Sequence, residues 1–89
     1  MDLGIRGKIA FICASSQGLG LACAKALAAE GVNITINGRD VSKLTEVTRT
    51  LAVKFPDINV NFIVADLTRE EGRAAILTAL PHVDILITN

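Results

Sequence analysis

Ile9-Ala10-Phe11-Ile12-Cys13-Ala14 runs directly into Ser15-Ser16-Gln17-Gly18-Leu19-Gly20, and from there into an Ala- and Leu-rich stretch that ends at Glu30. An unbroken apolar run of this length suits a strand buried on both faces, the condition of a parallel sheet sandwiched between helices. Ala and Leu favour helix, so a helix is expected over Gly18 to Glu30. Gly31 stands where a left-handed C-cap would close it. Apolar strand, glycine-bearing turn and helix in this order open a βαβ unit.

Moving outward, the same alternation continues to the end of the chain. Val32 to Asn37 (VNITIN) is β-branched and reads as a second strand. Asp40 or Ser42 can cap a helix running to about Phe55. Pro56-Asp57 makes a turn, and Val60 to Ala65 (VNFIVA) a third strand. Thr68 with Glu71 three residues later fits a capping box for a helix to about Leu80, which Pro81 stops. Val83 to Thr88 (VDILIT) reads as a fourth strand. Short strands separated by helices imply right-handed crossovers and a parallel sheet. The expected fold class is α/β, a Rossmann-type doubly wound parallel sheet of four strands in the order 3-2-1-4. Residues 1–89 are expected to form one half-domain, the first half of a larger one, truncated after the fourth strand.

Composition narrows the possible functions. Half of the 89 residues (51%) are hydrophobic, high for a chain so short, which suggests apolar surface meant to be covered by more protein. Nine basic and nine acidic residues balance, and the chain has no Tyr or Trp, so neither a basic footprint nor stacking platforms for nucleic acid are present. Cys13 and Cys23 make no disulfide framework and read as small core residues. No Cys/His cluster has metal-ligand spacing. The N-terminus lacks an apolar leader core, and no apolar run approaches the roughly 20 residues that cross a bilayer. A soluble cytoplasmic protein without nucleic-acid or membrane partners is expected.

The turn after the first strand has the context that a dinucleotide-binding fingerprint requires. A pyrophosphate must come close to backbone N–H groups at a helix N-terminus, where the helix dipole favours negative charge. Gly18 leaves room for that approach, Gly20 lets the helix pack against the strand, and Ser15 and Ser16 offer hydroxyls. The plainer alternative is a strand-to-helix turn with two incidental glycines.

With these residues in view, the chain resembles the short-chain dehydrogenase/reductase family along its whole length, and within it 3-oxoacyl carrier-protein reductases and other carbonyl/alcohol members. Ser15-Ser16-Gln17-Gly18-Leu19-Gly20 matches the latter part of that family's Thr-Gly-x-x-x-Gly-x-Gly motif, while Cys13 and Ala14 replace its opening Thr-Gly. Gly7-Lys8-Ile9-Ala10 resembles the lead-in to strand one, and Ala65-Asp66-Leu67-Thr68 the Asp motif after strand three. Asp84 to Asn89 resembles the start of Asp-Ile-Leu-Val-Asn-Asn-Ala-Gly, with Thr88 in place of the first Asn. The resemblance implies cofactor contacts at Ser15, Ser16, Gln17, Gly18, Leu19 and Gly20. It implies adenine contacts at Asp66 and Leu67 and a position bordering the cofactor for Asn89. It also implies an oxidoreductase moving hydride between a nicotinamide cofactor and a carbonyl or alcohol, commonly as a homotetramer. The family's Tyr-x-x-x-Lys pair, the acid/base element of the reaction, has no counterpart in a chain without Tyr, so no catalytic residue is assigned. The alternatives are a non-catalytic adenine-dinucleotide-binding module and a non-functional truncated remnant.

The choice of cofactor is read at the end of strand two, Ile36-Asn37-Gly38-Arg39-Asp40. An acidic residue there binds a free ribose 2′-hydroxyl and repels a 2′-phosphate. Gly38 occupies that position, and Arg39 offers a guanidinium fork suited to phosphate, with Asn37 able to add a hydrogen bond. NADP is expected, and NAD stays possible if Asp40 turns inward toward the ribose. In the plainer reading Arg39 is a solvated charge, Asp40 a helix cap and Asp66 the start of a turn. His82 reads as a loop residue, and Asp84 as exposed or paired locally.

Overall fold

The computed structural model describes residues 4–13, 18–66, 69–79 and 83–87, with 18, 19, 75 and 79 described by backbone alone. The elements are β1 (Ile9–Cys13), α1 (Gly18–Ala29), β2 (Asn33–Gly38), α2 (Val41–Lys54), β3 (Val60–Val64), α3 (Glu70–Ala79) and β4 (Ile85–Ile87). The strands form one parallel sheet in the order β3-β2-β1-β4, as the alternation of elements implied.

β1 is central and alternates between two apolar layers. Ala10 and Ile12 face Ala24 and Ala28 of α1 and Leu44 and Leu51 of α2, together with Ile34 and Ile36 of β2. Phe11 and Cys13 face the other way, onto Ile76 of α3. Double-sided burial is why β1 reads as an unbroken apolar run. Ile12, Ile34, Ile36, Leu44 and Leu51 are almost completely buried. Each contributes about 1.5–3 kcal/mol relative to exposure. Among the described side chains of α1, those buried in this layer are Ala24 and Ala28.

The helix boundaries follow local chemistry. Asp40 is the N-cap of α2, its Oδ1 accepting from the backbone N–H groups of Ser42 at 3.0 Å and Lys43 at 3.2 Å. Gly31 (φ 81°) closes α1 in the left-handed conformation expected of a C-cap. The Gly31 N–H donates to the Ala28 carbonyl at 3.0 Å and the Val32 N–H to the Leu27 carbonyl at 3.2 Å, a Schellman pair. α3 starts at Glu70; Thr68, the expected cap, and the Pro81 stop lie outside the described residues, as does His82.

Two polar side chains secure the amino ends of the strands. Asn33 Oδ1 accepts from the Asn59 N–H at 2.9 Å, and its amide reaches the Gly7 carbonyl at 3.4 Å. Asp84 is exposed, but its partner is remote rather than local. Its Oδ2 accepts from the Ile9 N–H at 2.9 Å, while its own N–H donates to the Ile9 carbonyl at 2.9 Å. The described part of β4 runs Ile85–Ile87 and begins at Ile85, not Val83. Among the described residues no helix is long and apolar enough to cross a membrane, and no cluster of His, Cys, Asp or Glu could hold a metal ion.

Candidate functional site

In a parallel sheet all strands point the same way, so their carboxyl ends gather along one edge. That edge is where open α/β sheets bind ligands. Here Cys13 pairs with Asn37, Ile12 with Ile87, and Gly38 with Val64. The carboxyl ends of β1, β2 and β3 therefore lie side by side, with Arg39 one residue past the end of β2 and Asp66 two residues past the end of β3.

Gly18, Leu19 and Gly20 form the first turn of α1, and Gly20 is buried. That turn contains no acidic side chain, so the positive end of the helix dipole is not neutralised from within it. Ser15, Ser16, Gln17, Leu67 and Asn89, the other expected contacts, lie outside the described residues.

At the end of β2 Asp40 acts as a helix cap. Its Oδ1 is engaged by the first turn of α2. Arg39 is exposed immediately before it. Gly38 lies against the core, since a Cβ there would sit 3.2 Å from Leu44 Cδ2. Any larger residue at position 38 would need Leu44 to shift by a few tenths of an ångström.

Asn37 differs from its expected role. Only 2% exposed, it does not reach out to a ligand. Its Nδ2 donates to the carbonyls of Ile63 and Ala65, each at 3.1 Å. A polar side chain at full burial needs such partners, since leaving an amide unpaired there costs about 1–3 kcal/mol in proteins. The signal was present in the strand VNITIN, where a buried Asn demands a specific acceptor; the acceptors, 26 and 28 residues away, were not visible.

Asp66 follows β3 with its side chain 28% exposed, and Arg69 Nε lies 3.8 Å from its Oδ2. The Asp66 carbonyl accepts from the Arg69 N–H at 3.1 Å, so the residue both begins the turn into α3 and presents a carboxylate at the sheet edge. Cys13, at the end of β1, is buried, and burial pushes its thiol pKa up, away from a reactive thiolate. Cys23 is only partly buried rather than a core residue. The described grooves lie elsewhere. One of about 340 Å³ runs between α1 and α2, and one of about 200 Å³ sits by Gly31 and Phe55 at the opposite end of the sheet.

The family model for short chain dehydrogenase matches residues 8–89. The chain is 36% identical over its full length to the uncharacterized oxidoreductase YvaG of Bacillus subtilis (strain 168), of which it covers 34%. It is 29% identical over 86 residues to the NADPH-dependent reductase BacG of the same organism, covering 92% of this chain and 33% of that protein. Among solved structures, L-sorbose reductase from Gluconobacter frateurii, complexed with NADPH and L-sorbose, superposes with a TM-score of 0.91. The identity is 39%, with all of this chain and 35% of that one covered. The chain thus spans about a third of the length of these relatives.

Proposed function

This chain belongs to the short chain dehydrogenase family, and on that premise we propose that residues 1–89 supply the dinucleotide-binding half of an NADP-preferring oxidoreductase acting on a carbonyl or alcohol substrate. Bound there, the nicotinamide cofactor would exchange hydride with the substrate, giving it to a carbonyl or taking it from an alcohol. The residues of this chain bind and orient its adenosine and pyrophosphate portions. The turn Ser15 to Gly20 offers backbone N–H groups at the positive end of α1 to the pyrophosphate. Arg39 pairs with the ribose 2′-phosphate, and Asp66 and Leu67 receive the adenine. Asn89 borders the cofactor. The acid/base pair is sought outside these 89 residues, which contain no Tyr.

One observation carries the choice of NADP. The acidic residue closest to the end of β2, Asp40, is engaged as the α2 cap, which leaves an exposed Arg39 beside Gly38. The NADPH complex of L-sorbose reductase and the NADPH-dependent BacG support the same reading. The test is Arg39→Asp in the polypeptide that carries this chain, comparing NADPH with NADH. A charge-assisted bond to phosphate is worth about 1.5–3 kcal/mol, so its loss should cost at least tenfold in NADPH affinity and reverse the preference. An unchanged ratio would remove Arg39 from the site.

A further inference from the structure

The segments that carry Arg39 and Asp66 are joined at their roots. β2 ends at Gly38, because the next two residues turn away to start α2. β3 ends at Val64, one residue before Ala65 and two before Asp66. Across this gap the Ala65 N–H donates to the Gly38 carbonyl at 3.0 Å. The Asn37 amide then takes up the Ala65 carbonyl itself, and the Ile63 carbonyl besides, each at 3.1 Å. Ala65 immediately precedes Asp66, and Gly38 immediately precedes Arg39. Thus the last residue before each proposed ligand contact is held, and a buried side chain supplies a bond that backbone pairing does not extend to.

From this juxtaposition we propose that Asn37 is a positioning residue, which sets the spacing between Arg39 and Asp66 and so the fit of the adenosine 2′-phosphate end of the cofactor. The inference rests on the proposed contacts of Arg39 and Asp66. Asn37 itself touches no ligand; it is 2% exposed and acts through the Ala65 carbonyl. An enzyme gains affinity from groups already held at the spacing the ligand needs, because ordering them on binding costs free energy.

The probe is 2′,5′-ADP, which carries the adenine and the 2′-phosphate that Asp66 and Arg39 would contact, together with a 5′-phosphate that is unchanged in every variant compared. Its dissociation constant is measured by titration in the polypeptide carrying this chain, well below the melting temperature of each variant. Asn37→Ala is expected to weaken 2′,5′-ADP about tenfold. Asn37→Thr, which keeps one hydroxyl donor within the strand, should recover most of the loss and guards against a misfolded Ala variant. Coupling supplies the readout that a purely structural role would not move. Asp66→Ala weakens binding alone, and Asn37→Ala with Asp66→Ala together should weaken it no more than the worse single variant. Lowered melting temperature with an unchanged dissociation constant, or additive losses in the double variant, would overturn the positioning role while leaving the site standing. If Arg39→Ala and Asp66→Ala also bind 2′,5′-ADP as the unaltered protein does, the site reading falls and this inference falls with it.

Discussion

Gly72→Ala opposes two forces whose balance is set by the structure. Gly72 is the third residue of α3, and replacing Gly by Ala in a helix ordinarily stabilises it by about 1 kcal/mol. Here the added Cβ would stand 2.8 Å from the Asp66 carbonyl carbon and 3.1 Å from its nitrogen, and would collide outright with its oxygen. These are backbone atoms, so no rotamer change relieves the clash. Ordinary carbon contacts begin near 3.4 Å, so the carbonyl carbon must recede by several tenths of an ångström and the oxygen by more. Forcing a methyl into a packed site costs about 1–3 kcal/mol, and a backbone obstacle puts this one at the upper end. Net destabilisation of about 1–2 kcal/mol is therefore expected. Because the displaced atoms belong to Asp66, cofactor binding should weaken about tenfold in the same variant, the equivalent of about 1.4 kcal/mol. Urea denaturation gives the first quantity and NADPH titration the second. A variant more stable than the parent, with unchanged NADPH affinity, would refute the close packing of α3 on the Asp66 segment.

Two further outcomes concern stability. Thr48 Oγ1 is buried without a hydrogen-bond partner among the described residues, so Thr48→Val should raise stability by about 1 kcal/mol in chemical denaturation; a loss of that size would mean the hydroxyl has a partner. Burial raises the Cys13 pKa, so the folded state keeps the thiol proton to higher pH than the unfolded chain does. That contribution is intact below the ordinary value of 9.0 and is lost as pH rises through the raised folded value. Urea melts between pH 7 and pH 10 should show a steeper alkaline decline for the parent than for Cys13→Ala, and parallel profiles would contradict the assignment.

Much of this architecture is legible in the chain because it depends on local chemistry. The apolar run of β1, the glycine after α1 and the carboxylate before α2 each act within a few residues. Gly31 and Asp40 do in the structure what their residue types suggest. Parallel pairing followed from the right-handed crossovers, and the order of strands from the Rossmann-type topology they build. What was not legible depends on partners distant in the chain. Asp84 pairs with Ile9 across 75 residues, and β4 starts at Ile85 rather than at the expected Val83. Asn37 had the composition of a ligand contact and is instead occupied with β3. Asp40 had both a cap and a ribose contact open to it; capping was the local option, and the helix N–H groups claimed it. At the carboxyl end of β2 both Asn37 and Asp40 are taken by backbone partners, leaving Arg39 exposed there.

The most direct measurement of the central claim is competition between 2′,5′-ADP and 5′-AMP for NADPH bound to the polypeptide carrying this chain. The account predicts saturable NADPH binding that 2′,5′-ADP displaces at least tenfold more effectively than 5′-AMP, the least that one charge-assisted phosphate bond at Arg39 should contribute. Equal displacement by the two nucleotides, or no saturable NADPH binding, would contradict it.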